Sequence, residues 1–485
     1  MSRLGIAQKR IGGAVGATLA LGLLLAACTS TPDNRQVALP DTRQESSFRP
    51  AEAREHERIL ASYGGTYDAP RLQASISKIV DKLVAASERP DLKYEVTILN
   101  SQSINAFALP NGHLYITRGL LALANDKSEL ASVLAHEMGH VIARHAAIRE
   151  EQARQNAIVS RVVGEVLSDP EVGALALAKS KLTLAAFSRQ QEFEADGIGV
   201  GISARAGFDP FGAARFLADM QRNADLKSSG NNESRGDFLS GHPATPERVD
   251  NALNNARHFT APGAGTRERD EYLADLDGLV YGEDPSEGFV RGRKFVHPKL
   301  GFTFTAPAGF MLDNSPQAVL GIKDGGGQAM RLDVVQVPAE QSLADYLKSG
   351  WIENVDALTV EEQTINGFPA ATGAAKGEQW SFRLFAVRFG SDVYRFVFAA
   401  KNATPQVDRS FRDSVATFRR MTLKESQEAR PLRVRIVVAG PHDTVEKLAR
   451  RMAKLDHPVE RFRVLNGLSA QDRVKPGEKL KIVVE

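Results

Sequence analysis

The sequence has one cysteine, Cys28, among 485 residues, and two tryptophans. A lone thiol excludes any intramolecular disulfide. Net charge is also nearly absent. Sixty-one Lys and Arg face 59 Asp and Glu, leaving +2, which gives no electrostatic case for nucleic acid as a partner. Long apolar runs are missing beyond Ile11 to Ala27. Ala174 to Phe187 is apolar-rich, but Lys179 and Lys181 interrupt it, so it reads as a packed helix and not as a membrane span.

What is present is a metal-binding pattern, His136-Glu137-Met138-Gly139-His140. Two imidazoles four residues apart share one helical face and can grip one ion. The carboxylate of Glu137, beside the first of them, is placed to take a proton from the attacking water. Leu130, Val133, Leu134, Val141 and Ile142 recur at helical spacing around the motif. Asp126, with Glu129 three residues on, reads as an N-cap with a capping box. Catalytic zinc takes three protein ligands, so a third is needed. His145 is a poor candidate. On a continuing helix it falls half a turn away from His136, at about 100° per residue, which makes it a partner for a nearby backbone group or carboxylate. Glu192 and Asp196 are a better pair. They share a helical face, so Glu192 can ligate zinc while Asp196 receives an N–H from a ligating His. Glu194 points away and reads as solvated.

HExxH followed by ExxxAD resembles the HtpX/BepA/Oma-type zinc metallopeptidases, relatives of the CaaX prenyl proteases. Ile104 to Leu121 is similar to that family's stretch before the zinc helix, and Gly241-His242-Pro243 with Arg248 to its HPxxxxR segment. The resemblance covers about Tyr67 to His258. It implies a gluzincin site with one Zn2+ per chain, ligated by His136, His140 and Glu192. Glu137 is then the general base, with Asp196 and Arg248 as supporting residues. His242 lies over the metal, where it either donates to the oxyanion or takes the fourth zinc position and holds the enzyme latent. The second role is motivated by Asn223 to Ser240, a polar, Gly/Asn/Ser-rich stretch that reads as a mobile lid. Asn105 to Leu109 is either a core strand or an exposed strand edge. The resemblance favours the edge, with Asn105, Ala106, Phe107 and Ala108 binding extended substrate by strand addition.

Arg3, Lys9 and Arg10 precede the first apolar run, which ends Leu25-Ala26-Ala27-Cys28. This looks like a bacterial lipoprotein signal, with Cys28 as the lipidated residue. Thr29 after it points, by analogy, to the outer membrane. A zinc site without thiolates suits an oxidising periplasm.

The expected organisation is multi-domain. A signal peptide (1–27) and a flexible tether (28–50) lead to a zinc metallopeptidase domain (51–258). That domain is mainly α-helical with a small sheet. A linker (259–288) follows, then an α+β domain of unknown role (289–423). In it Ile365-Asn366-Gly367-Phe368 reads as a hairpin turn, and Phe411, Val415 and Phe418 mark a closing helix. The last segment (433–485) reads strand, helix, helix, strand. It resembles a LysM domain, which implies peptidoglycan binding. The whole reads as a lipid-anchored periplasmic endopeptidase that hydrolyses misfolded or misassembled envelope proteins by a Glu-assisted zinc-water mechanism. A chaperone or assembly factor with a masked site, and a peptidoglycan-associated scaffold, are the alternatives.

Overall fold

The computed structural model describes residues 51–151, 188–228 and 241–485, apart from positions 244, 262, 353 and 454. Cys28 with the signal and tether, the stretch Ala174 to Phe187, and residues 229–240 of the expected lid lie outside the described residues.

The first half is helical around a small sheet. Helix α1 (Ala51–Ser62) precedes α2 (Pro70–Ala86), which buries Leu72, Ile76, Ile79, Val80 and Leu83 at helical spacing on one face. Strands β1 (Glu95–Leu99), β2 (Ala106–Ala108) and β3 (His113–Thr117) form a sheet in the order β1-β3-β2. β1 runs parallel to β3 and β2 antiparallel to it, which leaves β2 at the edge. Thr117 then caps α3 (Arg118–Leu123). Helices α4 (Lys127–Ile142), α5 (Arg189–Arg205), α6 (Gly212–Ser228) and α7 (Pro246–Phe259) complete the region.

Two expectations need correction here. The lid was expected to begin at Asn223, but α6 continues to Ser228 because Leu226 packs against the core. The segment 259–288 is folded rather than a free linker. It carries α8 (Arg269–Leu276), with Tyr272, Leu273 and Leu276 buried, and the Tyr272 hydroxyl donates to the Leu121 carbonyl at 2.8 Å. Its apolar residues are too few, among Gly, Pro and charges, to show a period.

The second half is β-rich. Strand β4 (Val280–Tyr281) comes first. Strands β5 (Phe289–Arg291), β6 (Lys294–His297) and β7 (Phe302–Thr305) start a four-stranded sheet. β8 (Phe310–Asn314), β9 (Val319–Lys323) and β10 (Gln328–Gln336) lead to the short helix α9 (Leu343–Leu347). β11 (Val355–Ile365), β12 (Phe368–Lys376), β13 (Ser381–Phe389) and β14 (Asp392–Ala400) complete a seven-stranded antiparallel sheet in the order β11-β12-β13-β14-β10-β9-β8. The Asn366-Gly367 turn forms as expected, since both residues take the positive φ that a two-residue hairpin of this type needs. Helix α10 (Pro405–Ala416) closes the region, with Phe411 and Val415 packed among Phe310, Phe385, Phe396 and Phe398. β15 (Arg419–Arg420) pairs with β7, and α11 (Leu423–Glu428) follows.

The chain ends as β16 (Leu432–Val438), α12 (Val445–Ala449), α13 (Pro458–Leu465) and β17 (Lys479–Val484), the expected order of elements. This segment is stitched to the helical region. β16 pairs with β4, and the buried Lys481 ammonium donates to the carbonyls of Ala122, Leu123 and Ala124 at 2.7, 3.2 and 2.7 Å. Those carbonyls lie at the C-terminal end of α3, where a cation is favoured. Residues 51–485 accordingly form a single compact unit.

Candidate metal centre

α4 starts where the sequence implied. Asp126 accepts the Glu129 N–H at 2.9 Å, although the Glu129 carboxylate reaches back to the Asn125 N–H at 2.7 Å instead of to Asp126 itself. Three turns on, His136 and His140 share a face, with their Nε2 atoms 3.0 Å apart. α5 crosses this face. Ser188 and Gln191 form a full capping box at its start, which puts Glu192 in the first turn.

Close approach of the two helices depends on glycine. A Cβ on Gly199 would lie 2.9 Å from the His136 backbone nitrogen, and one on Gly139 would lie 3.0 Å from the Ala195 carbonyl oxygen. With no side chains there, the backbones nearly touch and Glu192 comes within ligand reach of both imidazoles, at 3.6 Å from His136 and 3.5 Å from His140. Neither glycine stood out in the sequence reading. The available signal was the small-residue column at Gly139, Ala195 and Gly199.

His242 supplies a fourth donor. Its Nδ1 lies 3.3 Å from His136 Nε2 and 3.0 Å from Glu192 Oε1. Ligand atoms from His136, His140, Glu192 and His242 all fall within 4.8 Å of one another, and all four residues are buried. A tetrahedral ion bound at about 2.0–2.1 Å sets its ligand atoms about 3.3–3.4 Å apart. Five of the six ligand-atom pairs, taking either Glu192 oxygen, lie 3.0–3.6 Å apart, close to that frame. Protonation fits as well. Burial lowers His136, His140 and His242, the last to about 3, so the imidazoles are neutral, as metal ligands must be. Three imidazoles and one carboxylate, without thiolate, are a zinc donor set.

Charged side chains surround this set. His136 Nδ1 lies 2.9 Å from Asp196 Oδ1. Burial would raise Asp196, but hydrogen bonds from Arg248 and His136 outweigh it and hold the carboxyl at about 2. Arg248 grips Asp196 through two nitrogens, at 2.8 and 2.7 Å. A third nitrogen lies 2.8 Å from Glu192 Oε2 and 3.1 Å from the Pro243 carbonyl. One guanidinium therefore ties a ligand, a supporting carboxylate and the His242 loop together. Thr245 caps α7, accepting the Arg248 N–H, and so fixes where that side chain starts.

Glu137 sits beside the donor set without joining it. Its Oε1 is buried with no hydrogen bond among the described residues, 3.9 Å from His242 Nε2. Burial, then the charge of Glu192, raises this carboxyl well above its ordinary range, against the opposing pull of Arg248 and the Ala108 N–H. Ala108 is in β2. The Asn105 carbonyl accepts the Thr117 N–H and the Leu109 N–H donates to the His113 carbonyl in the neighbouring strand, so by alternation Ala106 and Ala108 turn their backbone groups to the other side, where the Ala108 N–H meets Glu137. The side chains flanking these two alanines have partners within the fold. Asn105 is consumed by Thr117 and Tyr63, and the Phe107 ring stacks on Tyr115 at 4.9 Å. His145 is outside the donor set, as expected. Glu194 is half-exposed, but it also meets His145 at 3.2 Å.

Residues 70–256 match the sequence model of peptidase family M48. The "Beta-barrel assembly-enhancing protease" of Escherichia coli K12 is 30% identical over 214 residues, which is 42% of this chain and 43% of that protein. The "Mitochondrial metalloendopeptidase OMA1" of Schizosaccharomyces pombe is 33% identical over 195 residues, 40% of this chain and 54% of that one. The chain thus spans under half the length of the bacterial relative. Among solved structures, cyanobacterial PsbP from Synechocystis aligns at 13% identity and a TM-score of 0.23, covering 29% of this chain and 98% of that one, too low to carry an argument. The matched segment is of M48 metallopeptidase type, and its His/Glu metal set is intact. No helix among the described residues is long and apolar enough to cross a membrane.

Proposed function

We propose that this chain, whose residues 70–256 match peptidase family M48, is a zinc endopeptidase of the bacterial cell envelope, with misfolded or misassembled envelope proteins as substrates. The observation that carries the reading is the buried four-donor set with Glu137 beside it and the open edge of β2 alongside. Zinc, when bound, supplies Lewis acidity toward the scissile carbonyl and the attacking water. Glu137 is the base. It accepts the water's proton and hands it to the leaving amine. Substrate pairs with the Ala106 and Ala108 side of β2, which lays an extended chain along α4.

His242 holds the resting enzyme latent. Catalytic zinc sites keep one ligand position open, and His242 stands in the donor set at that position. Activity then requires the segment before Pro243 to withdraw. The same observation supports a second reading, a chaperone or assembly factor whose site stays masked. The envelope assignment draws on the lipoprotein-like N-terminus and on the name of the bacterial relatives. Cys28 carries the lipid on the periplasmic side, with the outer membrane as destination. The terminal strand-helix-helix-strand segment binds peptidoglycan. Retention on purified sacculi tests the last point, and loss of membrane association in Cys28→Ala tests the anchor.

The deciding experiment is cleavage of an unfolded client by wild type, Glu137→Gln and His242→Ala, each assayed with its zinc content. The expected order is His242→Ala fastest, wild type slower and Glu137→Gln inactive with zinc retained. Slower cleavage by a zinc-loaded His242→Ala would overturn latency and make His242 an oxyanion donor. Absence of cleavage by every form would favour the chaperone.

A further inference from the structure

The two α4 imidazoles are oriented unequally. His136 meets a carboxylate directly, with Nδ1 2.9 Å from Asp196 Oδ1. His140 reaches one only through a second imidazole. Its Nδ1 lies 2.8 Å from His145 Nδ1, and His145 Nε2 lies 3.2 Å from Glu194 Oε2. His145 is buried at 1% exposure, while the Glu194 side chain is 56% exposed.

With a cation held by the donor set, proton bookkeeping along this chain has one solution. His140 Nε2 faces the donor set, 3.0 Å from His136 Nε2, so its lone pair must point there and its N–H must be at Nδ1. That N–H donates to His145 Nδ1, which is therefore unprotonated. The His145 proton is then on Nε2 and donates to the Glu194 carboxylate. The opposite direction would put a hydrogen on His140 Nε2, where the metal belongs. The backbone is bent to build the contact. α4 stops at Ile142, and Arg144 takes φ 56°, a left-handed conformation unfavourable for a side chain of its kind. That turn brings His145 back under His140 instead of half a turn away from His136.

We propose that His145 and Glu194 form a relay that fixes the tautomer and ring orientation of His140, and that zinc retention depends on both. They are positioning residues, since neither touches the ion or the substrate. The inference rests on the zinc reading of the site.

The test is zinc affinity of the full chain, by competition with a chelator, for wild type, His145→Ala, His145→Asn, Glu194→Gln and the His145→Ala/Glu194→Gln double variant. His145→Ala is expected to bind zinc about 10–100-fold more weakly, the usual loss when the partner of a ligating His is removed. His145→Asn recovers part of this, because its amide oxygen can accept the His140 N–H. Glu194→Gln gives a smaller loss, which vanishes in the His145→Ala background because the two act in series. A wild-type affinity in His145→Ala, or an undiminished Glu194→Gln effect in the double variant, overturns the relay. Should His145→Ala not fold, His145→Phe, which keeps a ring of similar size but can neither accept the His140 N–H nor donate to Glu194, takes its place in both comparisons. A wild type that binds no zinc would instead sink the site reading itself.

Discussion

Each end of α4 buries a cluster of ionisable side chains, and the two are organised in opposite ways. At the N-terminal end, every carboxylate meets a cation or a donor. Arg215 lies 3.4, 3.3 and 2.8 Å from Asp126, Glu129 and Asp209, and Arg267 lies 2.7 Å from Asp126. Asp219 pairs with Arg222 and accepts from Asn125 at 2.9 Å. Lys481 spends its donors on three carbonyls. At the other end, four lone-pair donors converge on one point, and Glu137 Oε1 beside them has no hydrogen bond among the described residues. Buried charge is therefore not itself the mark of a site. A cluster whose carboxylates are each paired stabilises geometry, whereas imidazole and carboxylate lone pairs converging on one point call for a cation.

That contrast can be broken by substitution. The largest effect is expected from Glu137→Gln, which should cut cleavage by about 10²–10⁴-fold, the range of general acid–base catalysis, while zinc content and stability stay unchanged. Next is Gly199→Ala. Its methyl group would lie 2.9 Å from the His136 nitrogen, so the helices must separate, with a stability loss of about 1–3 kcal/mol and weaker zinc binding. Gly197→Ala on the same helix meets nothing closer than 3.8 Å and should be neutral or stabilising, by about 1 kcal/mol at most. Equal losses in the two would remove the close-approach argument. Thermal melts and zinc titrations read both.

Lys481→Met at the satisfied end should lower stability by about 3 kcal/mol in urea, because buried carbonyls and carboxylates lose their cation. Zinc affinity should not move. A variant that loses zinc at unchanged stability would merge the two clusters into one.

The smallest effect is on pH dependence. Burial, then the charges of Asp126 and Asp219, raises Glu129 to about 8, and burial raises Asp219 to about 6. The folded state therefore holds protons that the unfolded chain has released, so stability falls as pH rises from about 4.5 toward 7. Above about 7 the buried Lys481, lowered to about 7 by burial, works the other way, since the unfolded chain then binds the extra proton. Glu129→Gln should flatten the fall between pH 5 and 7, as read from urea midpoints. An unchanged slope would mean that Glu129 is ionised in the fold.

Most of the metal centre was legible because its spacings are helical. His136 with His140, and Glu192 with Asp196, are each one turn apart. The reading of His145 reached a sound conclusion from a premise the fold does not keep, since the helix ends before His145. The β-rich half was legible in outline through its alternating aromatics and the Asn366-Gly367 turn. The folding of 259–288 was hidden because Tyr272 and Leu276 acquire meaning only against Leu121 and the rest of the helical core.

The sequence by itself determined which side chains could bind a metal and which element carries each, because a period of 3.6 residues is a local property. Only the tertiary structure decided that His242 enters the donor set, that Gly139 and Gly199 let two backbones meet, and that Lys481 reaches α3 from the far end of the chain. Those contacts join residues separated by tens to hundreds of positions. They depend on where packed helices and strands come to rest, which no local spacing records.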